Sequence, residues 1–122
     1  MRLPRLALIL LAIAIGISGL LVDHNDKLSR SRHSGKVTRI RNFASNCVKQ
    51  RLGTREWVAL LHELRSKDEV EIDWGDLASF RTYVLVEVQT PVWFGTLTYE
   101  CRLSITEGLV TDYVETSHDS SL

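Results

Sequence analysis

An uncharged apolar run near the start, residues 6–22 (LALILLAIAIGISGLLV), constrains this chain more than any other feature. As a helix rising 1.5 Å per residue, its 17 residues would reach about 25 Å. That is slightly short of a hydrocarbon core of about 30 Å, but Arg5 can extend the reach by snorkelling to the headgroups. Residues 1–22 are therefore predicted to be a membrane anchor or a secretory signal peptide.

The two interpretations of residues 1–22 differ in whether the segment is cleaved. A cleaved signal usually has an apolar region of about 7–15 residues followed by a small-x-small site. Gly16-Ile17-Ser18 has that form, but the apolar run continues beyond it to Val22. The sequence favours an uncleaved anchor. A cleaved signal that releases a secreted or periplasmic ligand-binding or inhibitor module is the alternative.

Charge is divided unevenly along the chain although the formal net charge is zero. Residues 23–55 contain nine Lys or Arg and two Asp, whereas residues 56–122 contain four basic and thirteen acidic residues. The two parts can neutralise each other within the fold, or the basic segment can lie on anionic lipid headgroups. Nucleic-acid binding lacks a supporting motif and is not expected. The basic residues nearest the apolar run are Lys27, Arg30, Arg32, Lys36, Arg39 and Arg41.

Orientation in a membrane is predicted from the charges that flank the apolar run. Arg2 and Arg5 favour a cytoplasmic N-terminus under the positive-inside rule. We therefore expect a single-pass protein with its C-terminal domain outside the cytoplasm. The opposite orientation stays open, because the flank after the run is also basic. The expected partners are membrane lipid, through residues 6–22 and the basic segment, and a protein of unknown identity.

The rest of the chain is divided by composition into a tether, a domain and a tail. Residues 28–36 (LSRSRHSGK) have one apolar residue among Ser, Gly and basic side chains, so residues 23–36 are predicted to be a basic flexible tether. Residues 37–115 are predicted to form a small domain, and residues 116–122 a frayed tail. About 80 folded residues are near the lower limit for a self-sufficient core.

Hydrophobic periodicity within the domain changes from helical to extended. Apolar residues recur every three or four positions over residues 37–52, with Gly53 as a stop and Thr54 as the cap of a second helix. Alternation then predicts strands, with a turn or a single helical turn at residues 75–80. The predicted strands are residues 70–74, 81–90, 97–105 and 109–115. The fold class is α+β: an N-terminal hydrophobic helix, then one or two helices packed on a three- to four-stranded antiparallel meander.

The order of elements resembles that of cystatin-like and related folds in which a helix packs on an antiparallel sheet. The Gln-x-Val-x-Gly loop motif of cystatins is absent, since residues 89–95 read QTPVWFG. The resemblance concerns element order alone and implies no function.

Cys47 and Cys101 are the two cysteines, and each lies on the apolar face of its predicted element. If the helix packs on the sheet in an oxidising compartment, a disulfide between them would stabilise the fold by about 4 kcal/mol in the chain-entropy model. The alternative is two separate buried thiols that act as small apolar fillers. Nothing in the sequence indicates a nucleophilic thiol.

Trp93 and Phe94 are adjacent aromatics in a connection between two predicted strands. If exposed, they would form an anchor for a partner or a bilayer interface. If folded inward, they would cap the core, and the sequence favours this second interpretation. They are nevertheless the best candidates for a binding determinant.

Other polar groups have simpler explanations than catalysis or metal binding. Residues 68–76 (DEVEIDWGD) are acidic, as exposed sheet edges often are, and lack the spacing of a calcium loop. The four histidines are scattered, and Ser117-His118-Asp119 are chain neighbours that cannot take triad geometry. No catalytic residue, metal ligand or cofactor is predicted. A binding or structural role is favoured over a small enzyme.

Overall fold

The computed structural model describes residues 5–68, 70–74 and 83–120, which form two helices and four strands. The elements are α1 (Arg5–Gln50), α2 (Thr54–Asp68), β1 (Glu71–Asp73), β2 (Tyr83–Val92), β3 (Gly95–Thr106) and β4 (Leu109–Asp119). The strands form one antiparallel sheet in the order β1-β2-β3-β4. The predicted α+β meander is therefore confirmed. The predicted turn at residues 75–80 lies outside the described residues.

Helix α1 is unbroken over 46 residues, a length of about 69 Å at 1.5 Å per residue. Every residue from Arg5 to Leu21 is exposed, so this N-terminal part of α1 projects away from the domain. It is long and apolar enough to cross a membrane, a test that a signal sequence would also pass.

The prediction of a flexible tether at residues 23–36 is wrong, because these residues continue α1. Seven positions at spacings of three or four form one stripe of the helix that is half-buried or buried. The stripe consists of Asp26, Arg30, His33, Val37, Ile40, Ala44 and Cys47. Side chains at this spacing share a helix face, so α1 lies along the sheet for about six turns.

The link between the helices differs in detail from the prediction. Helix α1 ends where Arg51 takes a left-handed conformation (φ 48°), a role that the sequence assigned to Gly53. The Gly53 carbonyl instead accepts from the backbone N–H groups of Glu56 and Trp57. The Thr54 hydroxyl donates to the Gly108 carbonyl at 2.8 Å and does not cap α2. This bond ties the start of α2 to the β3–β4 turn.

The core lies between the two helices and one face of the sheet. Alternate residues of β2 and β3 point into it, as the period-2 pattern predicted. Its fully buried large side chains are Trp57, Tyr99, Ile40, Leu61, Leu103, Val84, Val86, Val88, Val110, Cys47 and Cys101. The opposite face of the sheet carries Arg102, stacked 5.0 Å from the ring of Tyr83, and the exposed Val114.

Strand β4 extends to Asp119, so the prediction of a frayed tail from residue 116 is wrong for its first four residues. Those residues are exposed, but their backbone pairs with β3 as far as the Leu97–Asp119 pair. The backbone N–H of Ser120 continues the pairing by donating to the Thr96 carbonyl at 3.1 Å. The end of β4 therefore lies beside the β2–β3 turn.

Candidate functional site

Trp93 and Phe94 form the two-residue connection between β2 and β3, whose last pair is Val92 with Gly95. Both side chains are exposed, at 54% for Trp93 and 63% for Phe94. Their rings meet edge to face with centroids 4.8 Å apart, so they form one apolar unit. The interpretation of these aromatics as a cap on the core is therefore wrong.

The backbone at Phe94 is unusual for an aromatic residue. Its φ is +63°, in the left-handed region that glycine and asparagine adopt most easily. Bulky residues held in this conformation cost about 1 kcal/mol or more, and such positions concentrate at functional sites. The turn thus carries a large aromatic, Phe94, where the backbone favours a small residue.

The β2–β3 turn is fixed to α1 beside the end of the apolar run. The backbone N–H of Trp93 donates to Asp26 Oδ1 at 2.9 Å. A cleft of about 220 Å³ lies between the turn and the helix, lined by Val22 and Asn25 on one side and by Val92 and Trp93 on the other. Val22 is the last apolar residue of the run, so the aromatic turn lies at the junction between the projecting helix and the domain.

Polar contacts continue along the same stripe of α1. Arg30 Nε lies 2.9 Å from Asp26 Oδ2, and its Nη1 lies 3.7 Å from Asp119 Oδ2 at the end of β4. Two hydrogen bonds lower the pKa of Asp26: the larger effect comes from the backbone N–H of Trp93 and the second from the side chain of Arg30. His33 Nδ1 and the Thr90 hydroxyl are 2.8 Å apart. Burial lowers the pKa of His33, and the charge of Lys36 lowers it further by a smaller amount. The neutral imidazole is therefore favoured.

Arg41, Glu115 and Tyr99 form a three-residue network between α1 and the sheet. Glu115 Oε1 accepts from Arg41 Nε at 2.6 Å and from the Tyr99 hydroxyl at 2.7 Å. Burial alone would raise the pKa of Glu115, but the bonds from Tyr99 and Arg41 outweigh it and lower the pKa. Burial is the largest cause of a raised pKa at Tyr99, and the hydrogen bond to Glu115 is the second.

Tyr99→Phe is expected to destabilise the domain by about 1–2 kcal/mol at pH 7, because a buried hydroxyl loses its bond to a charged acceptor. The pKa of Glu115 is lower in the folded chain than its ordinary value of 4.5. The contribution of Glu115 is therefore complete above pH 4.5 and is lost as the pH falls through the lower folded value. Urea denaturation in detergent should show the difference between wild type and Tyr99→Phe shrinking at pH 3.

The matched control for this network is Tyr113→Phe, since the Tyr113 side chain is only half-buried. Removal of the Tyr113 hydroxyl should leave the free energy of unfolding nearly unchanged at both pH values. A Tyr99→Phe effect that stays constant as the pH is lowered from 7 until the chain unfolds would show that Glu115 is not the partner that matters.

The six predicted basic residues do not form one free basic surface. Lys27 pairs with Asp23 at 3.0 Å, Arg30 with two acids, and Arg41 with Glu115. Two of these pairs, Arg30 with Asp119 and Arg41 with Glu115, join the basic part of the chain to the acidic part, whereas the pairs with Asp23 and Asp26 lie within the basic part. Arg32 and Arg39 are exposed, and Lys36 is half-buried.

Cys47 and Cys101 are both free and fully buried in the core, so the predicted disulfide is not confirmed. The structure uses them as the alternative interpretation described, as small side chains that fill space between helix and sheet. Burial raises the pKa of each thiol to about 11. The thiolate is the reactive form, so both thiols are protected twice, by burial and by protonation.

Neither thiol is expected to react with a maleimide or an aromatic disulfide at pH 7.5 while the chain is folded. With a pKa of about 11, only about one thiol in a few thousand is ionised at that pH. Both should react once urea unfolds the chain, and mass spectrometry of the labelled chain measures the reaction. Labelling of the folded chain at the rate of free cysteine would contradict the buried placement.

The remaining candidate residues are not brought together into a reactive site. Ser117 and Asp119 share one face of β4, and His118 lies on the other, which excludes a triad among them. Glu71 and Asp73 are exposed on the short edge strand β1, whereas Glu69 and Asp76 lie outside the described residues. Within the described ranges, no group of three or more His, Cys, Asp or Glu could hold a metal ion.

A groove of about 300 Å³ between α1 and α2 was missed by the reasoning from sequence. Its walls include the apolar side chains Phe43, Leu60 and Leu64 and the polar Asn42 and Asn46. The exposed fraction of Leu60, 41%, shows that the apolar face of α2 is not fully covered within the domain.

Comparison of the chain with protein-family models, with curated proteins and with solved structures found no match. Function is therefore inferred from the geometry of the chain itself.

Proposed function

We propose that the chain is a single-pass membrane-anchored protein whose α+β domain lies outside the cytoplasm and acts by binding or as a structural element. The observation that supports the anchored domain is the unbroken helix α1, which runs from the apolar residues directly into the domain. The proposed orientation rests on Arg2 and Arg5, which precede the apolar run. Contacts with the sheet or its turns begin at Val22 and Asp26 and continue to Cys47. No flexible segment separates the two parts.

A continuous helix gives the domain a fixed height above the membrane. From Val22 to Gln50 the helix rises about 42 Å at 1.5 Å per residue. The β3–β4 turn and the α1–α2 link are therefore held about 40 Å from the bilayer surface if the helix stands upright. A flexible tether would let the domain sample many heights. A rigid spacer suits a protein that must meet its partner at a set distance from the membrane.

The same rise limits which basic residues can contact lipid. Lys27 lies about 8 Å beyond Val22 along the helix axis, but Arg39 and Arg41 lie more than about 25 Å beyond it. The attraction of anionic headgroups falls off within a Debye length of about 8–10 Å. Of the predicted basic residues, only Lys27 is therefore within this reach of the headgroups, and it is paired with Asp23, whereas Arg41 serves the fold through Glu115.

A released module is the second candidate, and one observation favours it. Residues 5–21 are exposed throughout, so cleavage within them would remove no contact of the domain. The released chain would begin with the part of α1 that packs on the sheet. It would be a soluble binding module in the same compartment.

Labelling of single introduced cysteines tests the anchor and the orientation together. Leu3→Cys and Gln50→Cys add one thiol on either side of the apolar run without changing charge, and the native thiols are buried. A membrane-impermeant maleimide on intact cells should label Gln50→Cys, and Leu3→Cys only after lysis. The reverse pattern would place the domain in the cytoplasm. Recovery of the labelled chain in the soluble fraction would contradict the anchor.

A further inference from the structure

We propose that the β2–β3 turn inserts Trp93 and Phe94 into the headgroup layer of the same bilayer that holds residues 6–22. The domain would then touch the membrane at two points, through α1 and through this turn. This inference rests on the proposed membrane anchor. It adds a lipid-binding site that the anchor alone does not require.

The height of the turn matches the membrane interface. Trp93 is bonded to Asp26, which lies four residues, or about 6 Å, beyond Val22 along the helix axis. The headgroup layer on each side of a bilayer is about 5–8 Å thick. An upright or moderately tilted helix therefore places the aromatic pair within that layer. Tryptophan is enriched at this depth in membrane proteins because its ring is apolar and its N–H is polar.

Among the described residues, the core does not account for two aromatics at this turn, because neither belongs to it. Both rings are mostly exposed, and they pack edge to face on each other. A two-residue hairpin with a positive φ at Phe94 favours glycine or asparagine at that position. A strained, exposed aromatic pair beside an apolar helix end is explained if the pair is covered by the same lipid that covers the helix.

Charge at the junction indicates contact with the interface itself and not with anionic lipid in particular. Lys27 is paired with Asp23, and Arg30 is paired with Asp26 and Asp119. The local charges are therefore largely balanced within the protein. Vesicles of zwitterionic phosphatidylcholine should suffice, and the contact should be insensitive to salt.

Depth-dependent quenching of tryptophan fluorescence in such vesicles tests the inference on the full chain. Trp57 donates to the Gly108 carbonyl at the far turn, about 36 Å from Gly95 along β3. Trp74 follows β1, whose Asp73 pairs with Leu85, about 23 Å from Val92 along β2. The emission lost in Trp93→Phe therefore reports Trp93, and the emission that remains is an internal control distant from the membrane.

The expected result is loss of most of the Trp93 emission with phosphatidylcholine that carries a nitroxide on its headgroup, and weaker loss with a nitroxide deep in the acyl chain. The Trp93→Phe variant should be little quenched by either. If the chain floats with vesicles but Trp93 is quenched only by aqueous iodide, the inference is overturned and the anchor stands. A chain that does not float with vesicles would overturn the anchor and this inference together.

Phe94→Gly separates a role in lipid binding from a role in folding. Glycine suits the positive φ, so the thermal midpoint of the variant in detergent should be unchanged or higher. The same variant should show weaker headgroup quenching of Trp93, because half of the apolar unit is gone. A clear fall in the midpoint would show that the aromatic pair serves the fold, which would overturn the inference.

Discussion

Ser31→Pro is expected to lower the free energy of unfolding by about 3 kcal/mol or more. Ser31 is an exposed residue in the middle of residues 23–36, within the part of α1 that packs on the sheet. Proline there removes a backbone hydrogen bond and clashes with the carbonyl four residues earlier. Contacts on the N-terminal side, such as Asp26 with Trp93, would lose their alignment. Urea denaturation in detergent, followed by circular dichroism, measures the loss.

Ser31→Ala is the matched control, because alanine favours helix and Ser31 is exposed. It should leave stability unchanged or raise it by a few tenths of a kcal/mol. If the proline and alanine variants were equally stable, residues 23–36 would behave as the flexible tether that their composition suggested. The fixed height of the domain would then have no basis.

Leu61→Ala is expected to cost about 2–5 kcal/mol, the range for removing a fully buried leucine side chain. Leu61 is completely buried among the core residues, whereas its neighbour Leu60 is 41% exposed in the α1–α2 groove. A domain of this size has a total stability on the order of 5–10 kcal/mol, so Leu61→Ala should remove a large part of it and lower the thermal midpoint by several degrees.

Leu60→Ala makes the same chemical change one residue away and should cost less than about 1 kcal/mol. Thermal denaturation of both variants in the same detergent gives the comparison. Equal effects would mean that α2 is rotated relative to the described packing. An effect of Leu60→Ala larger than that of Leu61→Ala would mean that the groove face is the buried one.

The faces of the strands could be predicted from sequence, because alternation in β3 is strict. Tyr99, Cys101 and Leu103 alternate with polar residues, and the structure buries all three. Helical spacing from Val37 onward likewise identified Ile40 and Cys47 of α1 as core residues, but not Ala44, which is also fully buried. These signals are strong because apolar side chains that pack on other apolar side chains recur at the period of their helix or strand.

The first half of the packed helix was not recognisable because its stripe is polar. Asp26, Arg30 and His33 occupy the positions that face the sheet, and composition alone made this segment resemble a linker. Their partners are a backbone N–H, a carboxylate and a hydroxyl that only the folded hairpins bring into place. Polar packing of this kind leaves no hydrophobic period in the sequence.

The end of β4 was missed for a related reason. Residues 116–119 expose their side chains, so hydropathy gives no strand signal, yet their backbone completes the edge of the sheet. For the candidate site, sequence identified Trp93 and Phe94 but not their exposure. Exposure depends on the turn conformation and on the bond to Asp26, which lies 67 positions earlier in the chain.

The intact mass of the protein recovered from whole cells of its native host and their medium, without reductant and with thiols trapped on denaturation, shows whether the apolar run is retained. A retained anchor predicts the full-length mass, with one trapping group on each of Cys47 and Cys101. A mass that lacks the first 18 to 22 residues would show cleavage of the apolar run. That result would contradict the membrane anchor and make the chain a released module.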